Sequence, residues 1–522
     1  MLNGLIVGAE IQTEHFTEAD HARFKDRLDK HLRALDEVLH GPGFGVAPRT
    51  LGAELELCVV DAGGRAYPIS EQLVREANTP AITPEMGAFD IELSTPPVSI
   101  AGAPFSALRE SMQTTVQQIR ELAERHAGRV VPISILPTLR SEDFTPNAIT
   151  DQPRYRALAR GMTAARGGAF EIAIEGDDSL HFSSHDAVAM EAANTAFQVH
   201  LATAPDEFAD LFNAAMLLSG PVLAAAANSP TFLGKRLWHE TRVALFKQAG
   251  DDRPSGPDGD IVLPPRVNFG NGWVRDGAHE LFMESVALYP PLLPECSVDE
   301  DALGLARAGR LPQLCELRLH HGTVWNWNRP VYDPDNGGSL RIELRALPAG
   351  PSYDDMLANA AFLVGCMLGL KERMPQLVSA LPFALAKQNF FQAAQHGLEA
   401  QLSWPSSAGH SPTRLSARAL LLSLLPVARE GLAGAGVAAS ESERFLGVFA
   451  ARVRSGQTGA VWQRAALASL QTQGHRGYAA LSKLLDRYIA GFYSLRPVHT
   501  WTLDPRQLDP RLLDLGQENP HV

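Results

Sequence analysis

The run LGAELELCVVD, residues 51–61, puts Glu54 and Glu56 two positions apart inside an apolar stretch. In a strand, residues i and i+2 share a face, so both carboxylates point one way while Ala53, Leu55 and Leu57 point the other. Two like charges side by side repel, and a divalent cation between them is the usual remedy. The same alternation recurs three times. In residues 88–95, AFDIELST, Asp90, Glu92 and Ser94 oppose Phe89, Ile91 and Leu93. In 195–201, TAFQVHL, Gln198 and His200 oppose Phe197, Val199 and Leu201. In 340–345, LRIELR, Arg341, Glu343 and Arg345 oppose Leu340, Ile342 and Leu344. Four such strands predict a mainly antiparallel sheet whose apolar face packs on helices.

Antiparallel sheets commonly show their polar face to water, so alternating charge alone is compatible with surface. A solvated face, however, usually carries Lys, Thr, Ser and Gln, whereas these strands lack Lys and favour Glu. Patterning therefore marks Glu54, Glu56 and Glu343 as site candidates, is evenly divided for Glu92, and leaves Asp90 as a surface residue. Converging carboxylates suit Mg²⁺ or Mn²⁺, and flanking arginines suit phosphate. Lys235, Arg236 and Arg242, close together after the break at Asn228, Ser229 and Pro230, also suit an anion. No GxxxxGK[ST] or GxGxxG loop is present, so the sheet face rather than a glycine loop is expected to hold a nucleotide.

At 522 residues, with 45% hydrophobic and 20% charged residues, the chain can bury a large core in two units, since single cores stop growing near roughly 250–300 residues. A formal charge of -13 disfavours a general nucleic-acid or anionic-membrane binder. Cys58, Cys296, Cys315 and Cys366 show no CxxC spacing, which fits a reducing cytoplasm. The opening MLNGLIVGAEIQTEHF lacks a basic n-region, and the apolar runs 214–227 and 356–370 fall short of a membrane span.

Along the chain, an amphipathic helix is expected from Thr17 to about Gly41, with a capping-box start at Thr17 and Asp20. Asp61 reads as a turn residue, 107–126 as a helix and 129–137 as a buried strand. Residues 141–168 read as a polar loop whose Arg154, Tyr155, Arg156, Arg160 and Arg166 either face phosphate or are solvated. A helix is expected over 208–227, a long ordered loop over 248–276, and an alternating segment over 323–330, TVWNWNRP. From Tyr353 onward only apolar helices are expected. The predicted units are 1–385, catalytic, and 386–522, helical and packed on it.

In order, LGAELELCVVD, PEMGAFDIELSTPP, QVH, ANSP with Arg242, and LRIELR with ALPAGPS resemble the type 2 glutamate-cysteine ligase family, the carboxylate-amine ligases, over roughly residues 51–370. NFFQAAQHGLEA, 389–400, is similar to the family's C-terminal helices, and the glutamate strands resemble the wider glutamine synthetase superfamily. The resemblance implies an α+β, glutamine synthetase-like catalytic domain and a helical C-terminal region. It implies metal ligation by Glu54, Glu56, Glu85, Glu92 and Glu343, with His200 matching the second His of an HxH whose first position is Gln198 here. It also implies phosphate or substrate-carboxylate binding by Arg242 and Arg345, to which Lys235 is added as a nucleotide contact; Glu54, Glu343 and Arg345 are the catalytic set. Trp325, Asn326, Trp327 and Arg329 match no family-wide motif; they read either as subfamily-specific substrate or nucleotide contacts or, the favoured reading, as a segment of buried core tryptophans. The implied reaction joins an acid, most plausibly glutamate, to cysteine or another amine with ATP and Mg²⁺ or Mn²⁺. The partners are then small molecules, with no nucleic acid or membrane, and homo-oligomerisation stays open. Another phosphoryl-transfer enzyme on the same fold and a non-catalytic nucleotide or interaction protein are the alternatives.

Overall fold

Alternation of side chains along one strand sets the architecture. In the computed structural model, which describes residue 11 and residues 13–254, 263–297, 299–405 and 411–503, this strand is β1 (Thr50–Asp61). An eight-stranded sheet is completed by β2 (Ile82–Pro84), β3 (Asp90–Ser94), β4 (Val98–Ser99), β5 (Gly128–Val131), β6 (Phe197–Thr203), β7 (Asn328–Asp333) and β8 (Ser339–Leu344). The order is β7-β8-β6-β1-β3-β2, with β4 and β5 also paired to β1, and every pairing is antiparallel.

Leu51, Leu55, Leu57, Ile91, Leu93, Val199, Leu201, Ile342 and Leu344 are buried on one face, where helices Pro104–Arg125, Phe208–Ala226 and Tyr353–Leu370 cover them. Burying each such side chain is worth roughly 1.5–3 kcal/mol, so a one-residue slip of β1 would forfeit several at once. The α+β reading is borne out. So is the first helix, Glu18–Leu39, whose Thr17 and Asp20 form the expected capping box.

Some expectations fail for identifiable reasons. Residues 153–166 are a helix, Pro153–Arg166, rather than loop: Pro153 opens it, Gly167 closes it in the left-handed region, and Ala157, Leu158 and Met162 bury a narrow stripe that the arginines mask in sequence. Buried residues 129–137 form a strand only as far as Val131. Tryptophan alternation in 323–330 precedes its strand, which begins at Asn328. Strands Gln401–Trp404 and Thr413–Ser416 interrupt the C-terminal helices. Helix Phe383–His396 runs through residue 385 and packs on Phe208–Ala226. The segment Pro205–Ala226 is long and apolar enough to cross a membrane, contrary to the shorter run read from sequence, yet 89% of its apolar window is buried inside the protein. Residues 1–10, 12 and 255–262 lie outside the described residues, and with them most of the N-terminal segment and the centre of the 248–276 loop.

Candidate active site

Register aligns the polar face in rungs. Arg329 on β7 stands beside Glu343 on β8, Glu343 beside His200 on β6, and His200 beside Gly52 on β1. The next rung sets Gln198, Glu54 and Ser94 side by side, and the one after it Glu56, Glu92 and Thr83. Of these positions Arg329, Glu343, Gln198, Glu54, Glu56, Glu92 and Thr83 form the floor of a cavity of about 370 Å³. Its walls come from Glu85 to Gly87, from Arg154, Tyr155 and Leu158, from Glu191 to Thr195, and from Leu293 and Trp325.

On the floor, His200 Nε2 lies 3.2 Å from Glu54 and 3.9 Å from Glu343. Both ring nitrogens are buried without a hydrogen-bond partner, and one ligand atom each from Glu54, His200 and Glu343 lie within 4.8 Å of one another. Orphaned buried imidazole nitrogens are costly, and two carboxylates converging on them supply the oxygen donors a hard divalent cation takes. The residues therefore fit the Mg²⁺ or Mn²⁺ expected from the sequence.

The remaining floor groups are wired together. Glu56 accepts from the Ala196 N–H at 2.6 Å and from the Gln198 amide at 2.7 Å, while Gln198 Oε1 accepts from Arg345 at 2.6 Å. Arg345 also reaches Glu343 at 3.3 Å, and Arg329 grips Glu343 with two bonds of 2.5 and 3.0 Å. An amide, with one donor and one acceptor end, is suited to joining a carboxylate to a guanidinium.

Charge sorts the acids into two groups. Burial would raise Glu343, but Arg329, Arg345 and His200 hold it well below the usual carboxylate range. Burial opposes the lowering of Glu54 as well, which His200 brings about. By contrast, burial and then Glu85 push Glu56 up to about 8. Burial followed by Glu54, Glu85 and Glu56 drives Glu92 well above its ordinary value, and burial raises Glu85. Metal-free, this face holds protons on some carboxylates and charge on others.

Glu54, Glu56, Glu85, Glu92, Glu343 and Arg345 all line the cavity, with His200 between them. Arg242 does not line it. Its side chain is buried, bonded to Glu240 at 3.0 Å and to the Ala346 carbonyl at 2.7 Å, and it lies 5.1 Å above the Trp327 ring. Because its bonds run to the backbone just after Arg345, it anchors that strand end instead of facing a ligand. Lys235 is exposed on the two-residue strand Lys235–Arg236, also outside the cavity.

Asp90 is buried on the cavity wall, not at the surface. It receives the Cys58 thiol, and its Oδ2 packs so closely over Gly87 that a Cβ there would fall 2.2 Å from it and push the carboxylate aside. Arg329, grouped in the sequence only with the tryptophan segment, and Glu191, not singled out there, also line the cavity. The first declares itself only through cross-strand register. The second ends a five-residue helix, Ala187–Glu191, too short for periodicity to reveal. Of the two tryptophans, Trp327 is core, as expected, whereas Trp325 lines the cavity.

Residues 50–262 match the model of Glutamate-cysteine ligase family 2. A protein of Rubrobacter xylanophilus with the provisional name glutamate–cysteine ligase 2-3 is 27% identical over 399 residues, 74% of this chain and 86% of that protein. Glutamate–cysteine ligase from Francisella tularensis, solved in complex with AMP, superposes with a TM-score of 0.54 at 11% identity, covering 91% of this chain and 93% of that one, a likeness of fold. The family resemblance read from the paired-glutamate strand is borne out over the matched segment. Glu343 and Arg345 lie beyond it.

Proposed function

We infer that this chain, similar to glutamate-cysteine ligase family 2 over residues 50–262, is an ATP-dependent carboxylate-amine ligase that joins glutamate or a related acid to an amine. One observation carries the reading: His200, with no hydrogen-bond partner, sits between Glu54 and Glu343 on a buried floor beside Arg345. Glu54, His200 and Glu343, with Glu56, Glu85 and Glu92 around them, are the residues that would hold divalent ions. Bound there, such ions supply charge neutralisation for phosphate oxygens.

The acid's carboxylate oxygen attacks the γ-phosphorus of ATP, ADP leaves, and the amine then displaces phosphate from the acyl phosphate. Such transfer depends on positioning and charge more than on a nucleophilic side chain. Arg345 offsets charge on the transferring group, Gln198 fixes the aim of Arg345, and Arg329 fixes Glu343. Four free cysteines suit a reducing cytoplasm.

Incubating the purified chain with Mg²⁺ or Mn²⁺, ATP and glutamate, while adding amino acids and simple amines one at a time, tests this. ADP release that requires both acid and amine, together with a product of the amide's mass, is expected. ADP release with a stable phosphorylated product and no amide would turn the reading to a kinase, and no ADP with any amine would sink it.

A further inference from the structure

The ligase reading leaves one step without a group to perform it: an amine enters as an ammonium ion, and something must take its proton before nitrogen can attack. Most cavity acids already have partners. Glu54 and Glu343 flank His200, Glu56 accepts two hydrogen bonds, Glu85 accepts the Met86 N–H at 2.9 Å, and Asp90, though its Oδ1 is unpartnered, is held by the Cys58 thiol behind the wall. Glu92 stands in register beside Glu56 on the floor itself.

Glu191 differs. It is on the wall, outside the sheet of carboxylates, and among the described residues no group donates a hydrogen bond to its carboxylate, a state it shares with Glu92 on the floor. Its backbone is pinned, because Asn194 donates to the Glu191 carbonyl from both its main-chain N–H, at 2.8 Å, and its side-chain amide, at 3.0 Å. Tyr155 lines the same cavity, and Arg345 is near enough to act on Glu191 electrostatically. A half-buried carboxylate with no donor is costly unless a cation meets it.

We propose that Glu191 is the residue that receives the second substrate, binding its ammonium group from the cavity wall and taking one proton from it. This rests on the ligase reading. The neutral nitrogen forms the C–N bond to the acyl carbon and the C–O bond to phosphate breaks, its electron pair leaving with phosphate. Of the three protons on the ammonium group, one passes to Glu191, one to the departing phosphate, and one stays on the amide. The substrate class is thus an amine that arrives protonated.

Hydroxylamine separates this step from activation of the acid, because it is largely uncharged at neutral pH and captures acyl phosphates without a base. With ATP, Mg²⁺ and glutamate, the parent is expected to form the glutamyl hydroxamate as well as the amide of its amine. In Glu191→Gln, amide formation should fall about 100-fold or more, while hydroxamate formation falls no more than a few-fold. Glu191→Asp should recover part of the loss. Equal loss of both products, or unchanged amide formation, would overturn the role of Glu191 and leave the ligase reading standing. A parent that forms no hydroxamate would overturn both.

Discussion

Two buried polar regions lie on either side of Arg345, and they are built on opposite terms. Behind it, Glu240 accepts from Ser134 at 2.6 Å, from the Asn228 N–H at 2.7 Å and from Arg242 at 3.0 Å. Asn228 in turn donates to the Ala349 carbonyl and to Tyr488, and Gln463 donates to Asn228. In front of it, neither ring nitrogen of His200 has a hydrogen-bond partner and, among the described residues, no donor reaches the Glu191 carboxylate. Both regions hold buried charge, but only in the first does each charged group, Glu240 and Arg242, find its hydrogen bonds within the protein. A polar group whose partners are all present is holding the chain together, whereas one left open is waiting for something the chain does not contain.

The sharpest way to break that contrast is to cut into each side. Arg242→Met strands the Glu240 charge in the interior, and stability should fall by about 3–5 kcal/mol, read by urea denaturation. If stability held and only ATP affinity fell, Arg242 would be a ligand residue after all. Glu54→Gln keeps shape and removes charge, so metal-dependent ATP turnover should drop about 100-fold or more with an unchanged melting temperature. Turnover equal to the parent's would remove Glu54 from the metal set.

A smaller effect concerns pH. Glu56 titrates at about 8 without metal, so ions must displace its proton at lower pH. Mn²⁺ affinity, followed by calorimetry, should fall by up to about tenfold per pH unit below that value for this one proton, and level off above it. Affinity flat from pH 6 to pH 9 would exclude Glu56 as a ligand. The smallest change belongs to Lys235→Ala, expected to alter stability by less than about 0.5 kcal/mol and to leave ATP turnover as it was.

Period-two patterning made the floor legible, because Glu54, Glu56, Glu92, His200 and Glu343 each alternate with buried aliphatic residues on strands that do form. It could not tell which way Arg242 points, since two arginines near one strand end look alike until the backbone carbonyl they serve is known. Nor could it show Arg329, whose pairing with Glu343 depends on how β7 and β8 meet. The walls were the least readable. Helix Pro153–Arg166 hides a small apolar stripe among arginines, and Glu191 ends a helix of little more than one turn. Floors follow strand alternation; walls follow tertiary packing, which short local patterns do not encode.

The rung that joins Arg329, Glu343, His200 and Gly52 draws on four widely separated parts of the chain. During synthesis from the N-terminus, β1, β3 and β6 are available to pair long before β8 emerges, and closure over so long an interval is slow. A nascent chain ending near residue 262 would carry Glu54, Glu56, Glu85, Glu92 and His200 but neither Glu343 nor Arg345. The polar face of the sheet is therefore completed late, and a polypeptide interrupted before β8 lacks the Glu343 carboxylate that closes the rung and the Arg345 guanidinium bonded to it.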